Sequence, residues 1–476
     1  MSWRFNRMGS NPHPNPPPQS ELQEREHAPS RSEAYREAGK RAHLLLIFVL
    51  LLTACGNGRA QGGAVSMGAV LPLWHSLRGE RERILLRLID RWNQTNPDDI
   101  MVVPEYRPTA ALHSEIMAVR DQTRLPGLMF VSAMQAAAYA RANLLVPLDQ
   151  FVSNDTNGVS LSSQDINDFY PFVLNAGRTA QGNLIGVPMG GRVRTVFYNR
   201  DWLKSAGFES PPTTWAAMSD MCNIAANATR GTLCFAVAED HTPMEDWLLA
   251  YGTRPVSSDG TLMQANVSTA LEAINQLAKF LEQRQVYRVI NSTKIREDFS
   301  AGLTLFAFAW SDTIDPYQTE IKQRANFDWD AMTLPGINGP GKPADVMYES
   351  GLWVVTGLDG GGATGDQGAG KALASWKFIR WLLETQQTIE WARDTEELPA
   401  RKSAQATLDE NPVRATVLGY VANGARPVPL LSGWGCVRDT MASGMRGILD
   451  GRLITDTLRT VQLTAQDQLG FDCSLR

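Results

Sequence analysis

The sequence has 476 residues, of which 43% are hydrophobic, and its 45 Lys and Arg against 50 Asp and Glu give a formal net charge of −5. No run of basic residues alternates with aromatic ones, so composition and charge argue against a nucleic-acid-binding protein. The length suggests two to three domain-sized units.

The first clear pattern is an apolar run at 44–52 that ends in the sequence Leu-Thr-Ala-Cys55 and follows Lys40 and Arg41. These nine residues are far short of the roughly 20 that a membrane-spanning helix needs. A basic flank, a short apolar run and small residues before a cysteine are typical of a bacterial lipoprotein signal peptide. We therefore predict that Cys55 becomes the acylated N-terminus of a protein anchored outside the cytoplasmic membrane, in the periplasm or on the outer cell surface.

The segments on either side of this signal lack apolar periodicity. Residues 1–54 are predicted to be a disordered, proline-rich leader plus the signal peptide. Residues 55–65, which are rich in Gly, Asn and Gln, are predicted to be a flexible tether.

After the tether, strands and helices alternate. The predicted elements are strand 69–74, helix 80–93, strand 100–103, helix 114–124, strand 127–132 and an alanine-rich helix that ends at 143. This order predicts a mostly parallel sheet covered by helices. Pro72 suggests that the first strand lies near a sheet edge or at a bulge.

The alternation is interrupted at 187–199, where two glycines and two arginines precede the strand 195–198. A second α/β region follows, with helices predicted at 215–226 and 269–282. A further extended passage at 327–335, a strand at 352–356 and a mostly helical C-terminal third complete the pattern.

Four cysteines follow Cys55, and an even number in an oxidising compartment favours disulfides over metal sites. We predict a bond between Cys222, near the end of a helix, and Cys234, which opens the next strand. The remaining pair would be Cys436 with Cys473. Free buried thiols are the alternative.

Catalytic, metal and cofactor motifs are absent or incomplete. The segment 365–372 nearly matches a phosphate-binding P-loop, but Ala372 stands where the motif needs a Mg²⁺-binding hydroxyl. His241 and Glu245 are four residues apart and are better explained as a solvated pair than as an incomplete metal site. We therefore predict no metal, no cofactor and no enzymatic activity.

Tryptophan carries the positive signal, since several of the thirteen stand beside polar residues at predicted strand ends or loops, as in Asp246-Trp247 and Trp310-Ser311-Asp312. Sugar rings stack an apolar face on aromatic rings and offer hydroxyls to carboxylates and amides. Clusters of this kind suit a sugar-binding pocket, while ordinary core tryptophans are the alternative.

Several segments, in order, resemble extracellular solute-binding proteins of carbohydrate ABC importers, over about residues 66–470. They are Trp74-His75-Ser76 with Gly79-Glu80, Trp92-Asn93, Tyr198-Asn199-Arg200, Phe299-Ser300-Ala301-Gly302, Trp310 and Leu398-Pro399-Ala400-Arg401. The chain is most similar to maltose-binding and glycerol-3-phosphate-binding members.

The resemblance implies an α/β, two-lobed periplasmic-binding-protein fold of type II, in which hinge strands join the lobes. The first lobe would comprise 66–190 and 326–392, and the second 191–325 and 393–476. The interruptions of the alternation at 187–199 and near 327 agree with crossings there. Closure about the hinge would signal ligand occupancy to the permease.

The resemblance also implies a ligand site. Trp310 and Trp434 match stacking aromatics, and Arg192 stands where maltose-binding relatives use a glutamate. Ser132 and Met134 stand where those relatives offer an aromatic and an acid. The remaining expected ligand contacts, by position or from the tryptophan clusters, are Ser76, Asp246, Trp247, Asp312, Glu349 and Ser350.

The predicted function is the capture of a sugar or oligosaccharide in an interlobe cleft by a lipid-anchored monomer that delivers it to the permease of an ABC importer. Arg192 and Arg194 favour an anionic polyol, such as glycerol phosphate or a phosphodiester, as the alternative ligand. An extracytoplasmic carbohydrate-active enzyme is the alternative of a different class.

Overall fold

Twelve strands and eighteen α-helices form the part of the chain that the computed structural model describes, which is 69–153, 159–225, 231–337, 344–357, 366–405, 407–408, 411–421 and 425–475. The described residues form one structural unit. The predicted leader, signal peptide, tether and acylated Cys55 lie outside the described residues. Within those residues, no helix combines the length and apolarity needed to cross a bilayer.

The strands are β1 Val70–His75, β2 Met101–Tyr106, β3 Leu128–Ser132, β4 Gly190–Asn199, β5 Phe235–Ala238, β6 Val286–Val289, β7 Phe306–Trp310, β8 Trp329–Met332, β9 Val346–Glu349, β10 Gly351–Val355, β11 Leu398–Pro399 and β12 Ala425–Pro427. The helices up to the middle of the chain are α1 Glu80–Thr95, α2 Thr109–Ala118, α3 Ala133–Arg141, α4 Asp149–Ser153, α5 Ser163–Asp168, α6 Pro171–Ala176, α7 Arg200–Ser205, α8 Trp215–Ala225 and α9 Thr242–Ala250. The later helices are α10 Ser268–Glu282, α11 Ser292–Ser300, α12 Ile314–Arg324, α13 Asp366–Leu382, α14 Thr385–Thr395, α15 Lys402–Gln405, α16 Pro412–Val421, α17 Trp434–Leu449 and α18 Ile454–Gln468.

The first sheet has the strand order β10-β3-β1-β2, with β1 parallel to both neighbours and β10 antiparallel to β3. The expectation that Pro72 marks an edge or bulge is wrong, because β1 is a central strand. Pairing with β3 begins only at Leu73, so no ladder bond on that side needs the N–H that Pro72 lacks.

Helix α1 shows why this sheet is covered. Its apolar residues recur at helical spacing and are buried, while charged residues occupy the opposite face. The Trp92 indole nitrogen donates to the Ile100 carbonyl at 3.1 Å, which ties the end of the helix to the start of β2. The helix predicted at 114–124 instead occupies Thr109–Ala118, directly after Pro108. We call the elements around this sheet the first lobe.

Strand β4 organises the second sheet. Its first half pairs with β9 and β11, and its second half pairs antiparallel with β7 and β8. Strands β5 and β6 form a parallel pair nearby, where Leu233 bridges to Thr304 just before β7. We call the elements around β5–β8, with α8–α12, α17 and α18, the second lobe.

The chain passes between the sheets at closely spaced points. Val187 still bridges to Trp353 of the first sheet, and β4 begins three residues later. Ser350 alone separates β9, which pairs with β4, from β10, which pairs with β3. Strand β8 pairs with the same half of β4 as β7 does, so the chain is still in the second sheet after residue 326. It returns to the first sheet at Ser350, later than the predicted boundary.

Two disulfide bonds are present among the described residues, in the pairs expected from the sequence. Cys222 of α8 is bonded to Cys234 just before β5, with the Cα atoms 5.0 Å apart. Cys436 of α17 is bonded to Cys473, which follows α18, with the Cα atoms 5.6 Å apart. The first bond lies within the second lobe, whereas the second holds the C-terminal tail.

Candidate functional site

A cleft of about 300 Å³ lies where the chain crosses between the lobes. Strand ends and helix starts surround it because parallel strands direct their carboxyl ends to one edge of a sheet. The lining residues are Ser76, Leu77, Arg81, Thr109, Phe130, Val131, Ser132, Ala133, Met134, Gln135, Arg192, Glu349, Ser350, Gly351, Glu397 and Val428. Five of the predicted ligand contacts line this cleft, namely Ser76, Ser132, Arg192, Glu349 and Ser350.

The three predicted serines reach the cleft from separate elements. Ser76 directly follows β1, Ser132 ends β3, and Ser350 separates β9 from β10. Ser132 also caps α3, since its hydroxyl accepts from the Gln135 amide at 3.2 Å and its own amide donates to the Gln135 side chain at 3.1 Å. The Gln135 side-chain nitrogen is buried without a protein partner, so it can donate to a bound molecule.

Glu349 joins two arginines at the floor of the cleft. Its carboxylate accepts from Arg192 at 2.6 Å and from Arg438 of α17 at 2.7 Å. Burial alone would raise the pKa of Glu349, but the charges of Arg438 and Arg192 and their hydrogen bonds outweigh it and lower this pKa to about 2. Arg438 also donates to Glu245 of α9 at 2.9 Å.

Asp312 extends the same chain of charges to the first lobe. It lies 3.5 Å from Arg192 and 3.4 Å from Arg81 of α1, and Arg81 is also 2.9 Å from Glu397. Burial raises the pKa of Glu397, although the charge of Arg81 opposes this effect. The Oδ1 atom of Asp312 is buried and has no protein partner.

These contacts form one network of alternating charge, which we call the charge network. Its members are Arg81, Arg192, Arg438, Glu245, Asp312, Glu349 and Glu397. Three guanidinium groups face four carboxylates, so the network carries no excess positive charge. Each arginine is held between two acidic partners, which fixes its orientation at the cleft.

Trp310 lies half-buried at the end of β7, two residues before Asp312. The Arg192 guanidinium carbon lies 4.3 Å from the centre of its ring, and the Arg194 guanidinium carbon lies 5.2 Å away. Guanidinium groups pack on aromatic faces through cation–π attraction. Trp310 is therefore attached to the charge network through Arg192, although it does not itself line the cleft in this conformation.

Three other predicted ligand contacts lie in the core of the second lobe. Asp246 is buried and bonds Arg194 through both oxygens, at 3.0 and 2.6 Å. Trp247 is buried between Trp215 and Phe308, with ring centres 4.6 and 5.0 Å away. Trp434, the first residue of α17, has no exposed surface.

Glu245 also departs from its expected place. The expectation of a solvated pair with His241 is wrong for the carboxylate, which is buried and bonded to Arg438. The His241 imidazole lies 3.8 Å from it. Among the described residues, no group of three or more His, Cys, Asp or Glu side chains is arranged to hold a metal ion.

The sequence reasoning missed Arg81, Gln135, Glu397 and Arg438. Arg438 follows Trp434 by four residues, and Glu397 directly precedes the segment Leu398–Arg401, so both lie close to residues that the sequence singles out. Arg81 lies among several charged residues at the start of α1, and nothing in the sequence distinguishes it from them.

Two α/β lobes joined by several crossings, with a polar cleft at those crossings, define the class of two-lobed binding proteins that close about a hinge. Comparison with known proteins agrees with this class. The chain belongs to the bacterial extracellular solute-binding protein family, whose model matches residues 87–416.

Curated relatives include the sn-glycerol-3-phosphate-binding periplasmic protein UgpB of Escherichia coli (strain K12). It is 24% identical over 403 residues, which cover 80% of this chain and 86% of the relative. UgpB of Salmonella typhimurium is 25% identical over 364 residues, which cover 72% of this chain and 78% of the relative.

Solved structures show the same fold. The sugar-binding protein MalE from Xanthomonas citri matches with a TM-score of 0.71 at 18% identity, over 84% of this chain and 97% of that one. The cyclic alpha-maltosyl-1,6-maltose binding protein from Arthrobacter globiformis matches with a TM-score of 0.70 at 16% identity, over 85% and 99% of the two chains. The predicted two-lobed α/β fold is thereby confirmed.

Proposed function

We propose that this protein binds a neutral sugar or oligosaccharide in the cleft and delivers it to an ABC importer. The observation that carries the proposal is the pairing of every arginine of the charge network with carboxylates. An anion would compete with these carboxylates for the guanidinium groups, whereas a neutral ligand leaves the pairs intact. The cleft therefore favours hydroxyls over phosphate.

Sugar hydroxyls both donate and accept hydrogen bonds, so they suit a surface in which donors and acceptors alternate. Asp312 Oδ1 and Arg438 Nη2 are buried and lack protein partners, which provides one acceptor and one donor beside the paired atoms. Phe130 lines the cleft, and Trp310 packs under Arg192, so aromatic faces lie within the same region. This combination supports a polyhydroxylated ring as the ligand.

The proposal assigns ligand contacts to Ser76, Ser132, Arg192, Asp312, Glu349, Ser350 and Trp310. Trp310 is half-buried, so the part of its indole that Arg192 leaves uncovered can pack against a sugar ring while Arg192 keeps its carboxylate partners. Asp246 would act indirectly, by holding Arg194 beside Trp310, and Trp247 would pack next to it in the core. Trp434 would also act indirectly, by fixing the start of α17, the helix that carries Arg438. The relatives of known structure, one named a cyclic alpha-maltosyl-1,6-maltose binding protein and the other a sugar-binding protein, support the same class.

An anionic polyol such as glycerol phosphate or a phosphodiester is the second candidate. The curated relatives are named as sn-glycerol-3-phosphate-binding proteins, and Arg192 can present two donors to a phosphate. Such a ligand would have to displace Glu349 or Asp312 from Arg192. The two candidates therefore differ in whether Arg192 keeps its carboxylate partners.

A thermal-shift screen of the chain from about residue 60 against sugars, oligosaccharides, polyols and their phosphates tests both candidates. A ligand that binds only the folded state adds about 2.7 kcal/mol at 100 times Kd, so a true ligand raises the melting temperature. We expect hits among neutral sugars that are lost in Trp310→Ala and kept in Trp202→Ala, a partly buried tryptophan outside the cleft.

Hits confined to phosphorylated compounds, lost in Arg192→Ala and kept in Arg296→Ala, would replace the sugar with the anionic ligand. Arg296 is a matched control because it is also half-exposed and paired with a carboxylate, Glu320, at 2.9 Å. Incubation of any hit with the protein should return it unchanged. Product formation would instead support the carbohydrate-active enzyme.

We also propose that the protein works as a monomer anchored by acylated Cys55. Metabolic labelling with a fatty acid should mark the full chain, and Cys55→Ser should abolish the label and release the protein from membranes. Retention of both label and membrane attachment in that variant would refute the anchor. Gel filtration of the unacylated chain tests the monomer.

A further inference from the structure

The C-terminal tail, residues 470–475, is fixed to the second lobe. The disulfide from Cys473 joins it to Cys436 of α17. The Cys473 amide donates to the Ser432 carbonyl at 2.9 Å, and the Ser432 hydroxyl donates to the Phe471 carbonyl at 2.9 Å. Covalent and backbone contacts therefore hold both sides of the tail against the start of α17, which packs on α9 and α18.

The side chains of the tail contact the other lobe. Asp472 lies 3.2 Å from the His113 ring of α2, and the Ser474 hydroxyl lies 3.2 Å from the same ring. Tyr139 of α3 stacks on His113 with ring centres 5.6 Å apart, and Arg141 donates to the Gly470 carbonyl. His113 and Ser474 are both buried, so water does not separate these surfaces.

The Cys436–Cys473 bond keeps Asp472 and Ser474 beside His113, which raises the effective concentration of this segment at the first lobe. The contacts themselves are non-covalent polar contacts, so they can break and re-form as the lobes move.

Helix α3 places the tail and the cleft at opposite ends of one element. Ser132 and Gln135 at its start line the cleft, and its last turn carries Arg141, which donates to the Gly470 carbonyl of the tail, and Tyr139, which stacks on His113. A displacement of α3 relative to the second lobe therefore changes both the cleft and the tail contacts.

We propose that the C-terminal tail is a disulfide-anchored clasp that holds the two lobes together and limits their opening. Contacts on the first lobe come from His113, which Tyr139 supports, and from Arg141, and the anchor on the second lobe is the Cys436–Cys473 bond. Loss of the anchor leaves the tail held by its connection to α18 and its hydrogen bonds with Ser432, so the lobes open more often. This inference concerns lobe motion and does not depend on which ligand the cleft accepts.

The test measures the distance between the lobes in the ligand-free full chain. Spectroscopic labels are attached to non-canonical amino acids at Asp90 of α1 and Glu272 of α10, which are both exposed. Variant Cys436→Ser/Cys473→Ser should shift the distance distribution to longer and broader values. Variant Asp472→Asn/Ser474→Ala, which keeps the disulfide, should shift it in the same direction.

Variant Cys222→Ser/Cys234→Ser is the matched control because it removes a disulfide that lies within the second lobe. We expect it to lower the melting temperature without changing the distance distribution. A distance distribution that stays the same in both clasp variants, or that changes equally in the control, would overturn the clasp. Since Asp472→Asn/Ser474→Ala leaves the disulfide and the backbone hydrogen bonds of the tail in place, it remains informative if a disulfide variant fails to fold.

Discussion

Arg192 and Arg194 lie two residues apart on the same strand, so their side chains leave the same face of β4 and both pack near Trp310, yet they differ in exposure and in their carboxylate partners. The Arg192 side chain is 35% exposed, lines the cleft and shares Glu349 and Asp312 with other arginines. The Arg194 side chain is 4% exposed and bonds a single buried carboxylate, Asp246. A cationic side chain between two lobes is therefore a candidate for ligand binding when it is itself exposed at the cleft, as Arg192 is, and not when it is buried against one carboxylate, as Arg194 is.

The largest expected effect concerns the buried arginine. Asp246→Ala leaves the Arg194 guanidinium buried without a counter-charge, which costs about 3–5 kcal/mol. Urea unfolding measures this loss. The double variant Arg194→Met/Asp246→Leu should lose much less, because it removes both charges. A single variant within about 1 kcal/mol of the wild type would show that water reaches Arg194 and that the two arginines are alike.

An intermediate effect concerns Glu349 and pH. Its pKa falls from the ordinary 4.5 to about 2, so its ionised form stabilises the fold. This contribution is fully present above the unfolded pKa and is lost as pH falls through 4.5 toward about 2. It amounts to roughly 3 kcal/mol, at 1.36 kcal/mol per pKa unit.

Between about pH 6 and about pH 3, the free energy of unfolding measured with urea should therefore fall more in the wild type than in Glu349→Gln. The sign follows because a depressed carboxyl pKa means that the unfolded chain binds more protons in this range. Parallel pH profiles for the two proteins would show that Arg192 and Arg438 do not hold the Glu349 carboxylate in solution.

The smallest effect on stability is expected for Arg192→Ala. Half-exposed ion pairs contribute about 0–1 kcal/mol, so the free energy of unfolding should change little. Ligand affinity should nevertheless fall about tenfold or more, which corresponds to about 1.4 kcal/mol of binding free energy. Calorimetric titration with a hit from the thermal-shift screen measures this loss. Unchanged affinity would show that Arg192 does not contact the ligand, so that exposure at the cleft gives it no role in binding that Arg194 lacks.

The fold could be predicted from local patterns wherever one face of an element is buried. Helix α1 follows from its apolar spacing, and the alternation up to α3 follows from strands and helices that each bury one face. Pro72 does not place β1 at an edge, because a missing N–H matters only where a neighbouring strand needs it. The second crossing at Ser350 depends on which strands pair, and local periodicity carries no information about pairing.

The site was only partly predictable for the same reason. Ser76 and Ser132 stand at the ends of predicted strands, where cleft residues are expected, and both line the cleft. Trp247 and Trp434 also stand beside polar residues, yet both are buried, because adjacency in sequence does not say which side of a helix faces the core. Arg81 and Arg438 belong to the same charge network although they are far apart in the sequence, and local sequence patterns cannot predict contacts between distant residues.

The single-residue connection at Ser350 links the cleft to the relative motion of the two sheets. At this passage a single residue connects a strand of one sheet to a strand of the other, so a relative rotation of the sheets must be taken up in part by its backbone torsions. The same residue lines the cleft. A molecule bound there would therefore lie close to the axis of such a rotation. Small torsional changes at the axis become large displacements at the outer faces of the lobes, where a membrane partner would detect them.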